Sequence, residues 1–137
     1  HLAKALVKAG YVSSVPEAFI TLIGDDGPGF VPTQLLSPAE AVELILASGG
    51  VPIWAHPPVD LIDALLPNLL EAGLQGLEVY RPRHWQKHIP RYEEICRSAG
   101  LLMSGGSDWH NPDYGTSLGD FFVSSEEVQD LLDVGGI

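Results

Sequence analysis

At 137 residues the chain has the length of one domain and can bury a real core; no apolar run reaches the ~18 residues that a membrane span needs. Seven Lys and Arg stand against eighteen Asp and Glu, a net charge of −11, which argues against a broad phosphate-tracking nucleic-acid surface but not against a small anionic substrate. No leader-like segment precedes the first helix and the one cysteine, Cys96, has no internal partner, so a reducing, cytoplasmic setting is expected.

Residues 2–9 favour a helix with Leu2, Leu6 and Ala9 on one stripe, stopped by Gly10. Ser14-Val-Pro-Glu17 has the capping-box pattern and predicts a second helix over 15–23. Residues 24–36, rich in Gly, Asp and Pro, read as loop. Ser37-Pro-Ala-Glu40 repeats the capping signature for a helix ending at Gly49-Gly50. The pattern then changes. Residues 51–55 form a short apolar strand that runs into His56-Pro-Pro58, and Asp60 is expected to cap a helix over 61–72 that Pro67 breaks or restarts. Residues 76–80 form a second strand, followed by Arg81-Pro-Arg-His84; a helix resumes over 89–99 with Gly100 as its stop. A third strand over 101–104 ends in Gly105-Gly106. A fourth is expected over 120–123, and Ser124-Ser-Glu-Glu127 starts a last helix.

Strands beginning near 51, 76 and 101 lie about 25 residues apart with a helix between each pair, the length of a β-α repeat in a parallel sheet. The expected class is therefore α/β, with a helical segment over 1–48 and a β/α part over 49–137. Parallel strands gather their carboxyl ends on one face. That geometry delivers His56 from the first strand, Tyr80, Arg81, Arg83 and His84 from the second, and Asp108 and His110 from the third. Three of the five histidines thus converge on one rim.

Neutral imidazole and carboxylate are ligands for Zn²⁺, Mn²⁺ or Fe²⁺, and the set suits a hydrolytic metal centre. The arginines have the paired donors to neutralise a phosphoryl group. Plainer readings stand beside these: Asp108 as a cap, His110 and His88 as surface residues, Arg81 and Arg83 as solvated loop charges. Glu78, inside the second strand, faces either the interior or a neighbouring side chain. Trp54, Trp85 and Trp109 flank the rim, where packing that excludes water explains them most simply. No nucleophile elbow, phosphate-cradling loop or dinucleotide fingerprint occurs, and Cys96 lies mid-helix, away from any strand end.

Six segments in order carry a family likeness: residues 1–12, Gly29-Phe-Val-Pro32, Ser37-Pro-Ala-Glu-Ala41, Gly49-Gly-Val-Pro-Ile-Trp-Ala-His-Pro57, Gly76-Leu-Glu-Val-Tyr80 and Gly105-Gly-Ser-Asp-Trp-His110. On these the chain resembles the PHP (polymerase and histidinol phosphatase) family. It is most similar to the metal-dependent phosphoesterases that act on nucleoside 3′,5′-bisphosphates and RNA 5′ ends. The resemblance implies a distorted seven-stranded β/α barrel with up to three divalent ions at its carboxyl rim. It implies His56, Asp108 and His110 as metal ligands, His1 beside the substrate phosphate, and residues 1–48 as an insertion or lid. The His-x-His pair of the family's first strand occurs nowhere in the chain. The reading is thus of the C-terminal half of such an enzyme, with two to three metals in the whole protein and little activity in this part alone. Its expected partners are a small phosphorylated substrate or short RNA, and either the missing half of the barrel or a second copy. A histidinol-phosphatase-type enzyme and a non-catalytic PHP-like interaction module are the alternatives.

Overall fold

Caps and glycines set the helix ends along most of the chain. The computed structural model describes residues 1–32, 35–110 and 117–136, apart from the side chains of Arg83 and His84. It divides into two units, His1–Leu35 and Leu36–Ile137.

In the first unit, α1 (Leu2–Lys8) gives way to Gly10, whose φ of 79° is the left-handed stop a C-terminal glycine supplies. Its buried stripe is Ala3 with Leu6 and Val7, packed on Val12 and Ala18; Leu2, expected on that stripe, is exposed. The helix is turned by one position from the sequence reading. In α2 (Val15–Ala18) the Ser14 hydroxyl accepts the Glu17 N–H at 3.3 Å. The Glu17 carboxylate accepts from the Ser13 backbone and hydroxyl instead of closing the box on Ser14, and those bonds lower its pKa. A π-helical turn, Phe19–Ile23, carries the helix to the predicted end.

The second unit is built on three parallel strands, β1 (Ile53–Trp54), β2 (Gly76–Tyr80) and β3 (Leu102–Gly105), in the order β1-β2-β3. Helices α4 (Ile62–Glu71) and α5 (Ile89–Ala99) make the crossovers, as the 25-residue rhythm predicts. Ile62, Leu77, Val79, Tyr92 and Cys96 are fully buried and form the centre of the core. The helix α3 (Pro38–Ala47) starts at a complete capping box between Ser37 and Glu40. Although the sequence reading groups it with the leading helices, it lies in the second unit, because Val42 and Leu46 pack into the core around Ile62.

Three local expectations are corrected. The N-cap of α4 is Leu61, with no side-chain cap, rather than Asp60. Pro67 lies within α4 without ending it: the N–H it lacks would have met the carbonyl of the exposed residue Asp63, where water can take the bond. Residues 120–123 are not a strand; Phe121 and Val123 contribute side chains to the core while their backbone joins no ladder. The closing segment starts as predicted, with Ser124 and Glu127 exchanging backbone-to-side-chain bonds, through a 3₁₀ turn (Glu126–Val128) into α6 (Gln129–Gly135).

The sheet register skips between Glu78 and Tyr80, opposite Ser104 and Gly105. Such a bulge re-aims the side chains around it. Glu78 meets the segment after β1, whereas the Tyr80 hydroxyl donates to Glu93 Oε1 on α5 at 3.2 Å. Gly105 permits the close approach, since a Cβ there would fall on the carbonyl oxygen and Cβ of Tyr80. Among the described residues no helix is long and apolar enough to cross a membrane.

Candidate functional site at the carboxyl rim

His56 follows β1 after one residue, and Asp108 follows β3 after Gly106 and Ser107. Both leave the sheet in left-handed conformation, with φ of 52° and 50°, and no other non-glycine residue among those described has positive φ. That conformation costs an L-residue ~1–3 kcal/mol and concentrates at functional sites. The two turns bring the side chains together: His56 Nε2 lies 3.5 Å from Asp108 Oδ1. His110 stays beside them, its Nδ1 3.8 Å from Asp108 Oδ1 and 2.6 Å from the Asp108 carbonyl oxygen.

Glu78, whose role the sequence left open, is part of this cluster. Its Oε2 accepts the His56 backbone N–H at 2.8 Å and lies 3.5 Å from His56 Nε2. The same oxygen is 3.6 Å from Arg81 Nε. The Arg81 guanidinium stacks 4.5 Å from the ring centre of Trp85, whose indole N–H donates to the Val79 carbonyl at 2.9 Å. Trp85 is thus both core and platform, a fuller role than packing that excludes water. A carboxylate three residues before an arginine, in an otherwise apolar strand, was the signal available for Glu78. From α5, the buried Tyr92 hydroxyl donates to the Pro57 carbonyl at 2.8 Å and anchors the turn just after His56; burial pushes that phenol upward.

The other candidates are distributed differently. His1 is the N-cap of α1 in the first unit, with no side-chain cap bond. Arg83 and His84 fall in a 3₁₀ turn (Arg83–His88) after β2, and their side chains lie outside the described residues. His88 starts α5 half-buried, its ring 5.4 Å from that of Trp85. Cys96 is buried mid-helix and its thiol is pushed up to about 11 by burial, against any nucleophilic use.

In kind, two imidazoles and a carboxylate fit a first-row divalent ion. Among the described residues, no group of three or more His, Cys, Asp and Glu is assembled tightly enough to hold one by itself. The His110 Nδ1 is turned onto the Asp108 backbone, and the close imidazole–carboxylate contacts are those of His56 Nε2 with Asp108 and with Glu78, both at 3.5 Å. An apolar cavity of about 670 Å³, lined by Val42, Ile45, Ile53, Trp54, Leu65 and Leu69 among others, lies between α3, α4 and β1.

No family model matches the chain. Among curated proteins it is similar to a 3′,5′-nucleoside bisphosphate phosphatase of Chromobacterium violaceum, with 32% identity over 120 residues, 84% of this chain and 42% of that protein. A phosphoribosyl 1,2-cyclic phosphate 1,2-diphosphodiesterase of Eggerthella lenta is 32% identical over 112 residues, 80% of this chain and 42% of its own. The 5′-3′ exoribonuclease Rnm of Escherichia coli is 27% identical over 117 residues, 82% and 40% of the two chains. Among solved structures, an amidohydrolase from Chromobacterium violaceum with bound sulfate superposes with a TM-score of 0.64 at 32% identity, covering 82% of this chain and 41% of that one. One from Bifidobacterium adolescentis, described as a metal-dependent phosphoesterase, gives 0.68 at 28% identity, covering 96% and 48%.

These relatives define a class, the metal-dependent phosphoesterases together with nucleotide phosphatases and exonucleases. The PHP-family resemblance read from the sequence is borne out, over the C-terminal part of such proteins; the chain spans about two fifths of the length of the curated relatives it matches.

Proposed function

We propose that this chain forms part of the metal-binding rim of a phosphoesterase, in which His56, Asp108 and His110 hold a divalent ion and Arg81 meets a phosphoryl oxygen. The observation that carries the reading is the meeting of His56 and Asp108 at 3.5 Å, from two different strand ends and through two left-handed turns. Mn²⁺, Zn²⁺ or Fe²⁺ suits the donors, and when bound such an ion polarises a phosphoryl oxygen and lowers the pKa of water. The chain's own contribution is orientation and charge. His56 and Asp108 present nitrogen and oxygen donors at one point. Arg81, stacked on Trp85 and steadied by Glu78, offers N–H donors to anionic oxygen.

The relatives supply the substrate range. Their names cover a nucleoside bisphosphate, a cyclic phosphodiester and RNA, and one structural relative binds sulfate, a tetrahedral oxyanion. The chemistry they share is attack at phosphorus, and hydrolysis of 3′,5′-bisphosphates or of RNA 5′ ends is our reading for the full-length protein, in the cytoplasm. His1, Arg83 and His84 are assigned to substrate binding on the family resemblance. Within a PHP-type barrel, the apolar cavity beside β1 and α3 would be covered by the preceding half of the barrel, so this chain alone is assigned little activity.

The test is a panel of a nucleoside 3′,5′-bisphosphate, a short 5′-phosphorylated RNA, a ribose cyclic phosphate and histidinol phosphate. It is run with Mn²⁺ on the full-length protein and on its Asp108→Asn and His56→Ala variants. Release of phosphate or nucleotide that both substitutions abolish supports the reading; turnover that survives them overturns it.

A further inference from the structure

A carboxylate in the central strand of a parallel sheet loses hydration, so it needs partners. Glu78 sits there, opposite Ser104 of β3, with its side chain only 13% exposed. One of its oxygens, Oε2, faces three nitrogen groups: the His56 backbone N–H at 2.8 Å, His56 Nε2 at 3.5 Å and Arg81 Nε at 3.6 Å. An ion pair that served only the sheet would need Arg81 alone. The backbone bond instead reaches across to His56, which follows β1 with positive φ and whose imidazole is brought to Asp108.

We propose that Glu78 is a positioning residue: its carboxylate clamps the backbone of His56 in the left-handed turn and thereby sets the imidazole against Asp108. Arg81, stacked on Trp85, holds the clamp from the other side. The inference rests on the reading of His56 and Asp108 as metal donors, but the clamp itself is a property of the metal-free chain. Removing the acceptor frees an amide and leaves the turn to relax toward ordinary backbone conformations; Gln retains an amide oxygen at the same reach, so it should restore the bond.

Two readouts test this on the 137-residue chain with Glu78→Ala and Glu78→Gln. The first is the His56 amide in a metal-free ¹⁵N-labelled sample. In Glu78→Ala its proton resonance should move upfield and exchange faster with solvent, while in Glu78→Gln it stays near the wild-type position. The second is Mn²⁺ binding by calorimetry, where Glu78→Ala should weaken affinity ~10–100-fold, as loss of a ligand-orienting partner does, and Glu78→Gln should recover most of it. If Ala prevents folding, Glu78→Asp, with the carboxylate withdrawn by one methylene, takes its place. A His56 amide unchanged in shift and exchange by loss of the carboxylate overturns the proposal, as does Gln behaving like Ala in both readouts. Should the wild-type chain bind no Mn²⁺, the metal reading of this chain fails, and the amide readout still decides the clamp.

Discussion

The His56 backbone N–H and the Glu78 carboxylate meet at 2.8 Å across 22 residues of sequence, joining the end of β1 to the middle of β2. That bond, with the left-handed φ of His56, means that the imidazole is aimed by backbone geometry as much as by its own rotamer.

The left-handed turn has a stability signature. Glycine adopts this conformation without the penalty an L-residue bears, roughly 1 kcal/mol. His56→Gly is therefore expected to be more stable than His56→Ala by about 1 kcal/mol in urea titration, although both lack the imidazole. Equal stabilities would show that residue 56 is not left-handed in solution.

The anchor after His56 can be removed with one atom. Tyr92→Phe keeps the buried ring but leaves the Pro57 carbonyl without its 2.8 Å donor. A loss of about 1–2 kcal/mol is expected in denaturant titration, the usual penalty for a buried polar group deprived of its partner. A change below a few tenths would mean that water already serves that carbonyl.

Alkaline pH should destabilise the fold, and the sign follows from two raised groups. Burial lifts the Cys96 thiol from 9.0 to about 11, and burial with the nearby Glu93 charge lifts the Tyr80 phenol from 10.0 to about 12. Below pH 9 both groups are neutral in folded and unfolded chains, and their full contribution is present. Between pH 9 and 12 the unfolded chain releases its protons first, so stability falls as pH rises. Thermal melts from pH 8 to 12 check this, and Tyr80→Phe should remove the part of the fall that begins near pH 10. A flat alkaline limb in the wild type would contradict it.

At Gly105 the side chain is excluded by backbone. A methyl group there would collide with the carbonyl oxygen and Cβ of Tyr80, neither of which can swing away. Gly105→Ala is expected to lower stability by about 3 kcal/mol or to prevent folding, well beyond the ordinary loss from overpacking a soft site. Wild-type melting behaviour would rule out the close β2–β3 approach.

What could be read from residues alone followed from local chemistry. Serine and glutamate three apart mark helix starts at Ser37 and Ser124, Gly10 and Gly100 mark stops, and apolar runs recurring every 25 residues mark parallel strands. The same rhythm was enough to nominate His56 and Asp108, because parallel strands must end on one side. Phe121 and Val123 show the limit of such patterns: their apolarity serves the core, and whether a strand forms there depended on a neighbouring edge that local sequence does not contain.

The tertiary structure decided the rest. Whether Glu78 faced an interior or a partner turned on the bulge between Glu78 and Tyr80, and that bulge exists because Gly105, 27 residues further on, lets β3 come close. Neither the left-handed turns at His56 and Asp108 nor the stacking of Arg81 on Trp85 leaves a periodic trace, because each is imposed by contacts between segments distant in the chain. Capping and periodicity act within one turn of helix or one strand, whereas the direction of a rim side chain is set by whatever the fold places across from it.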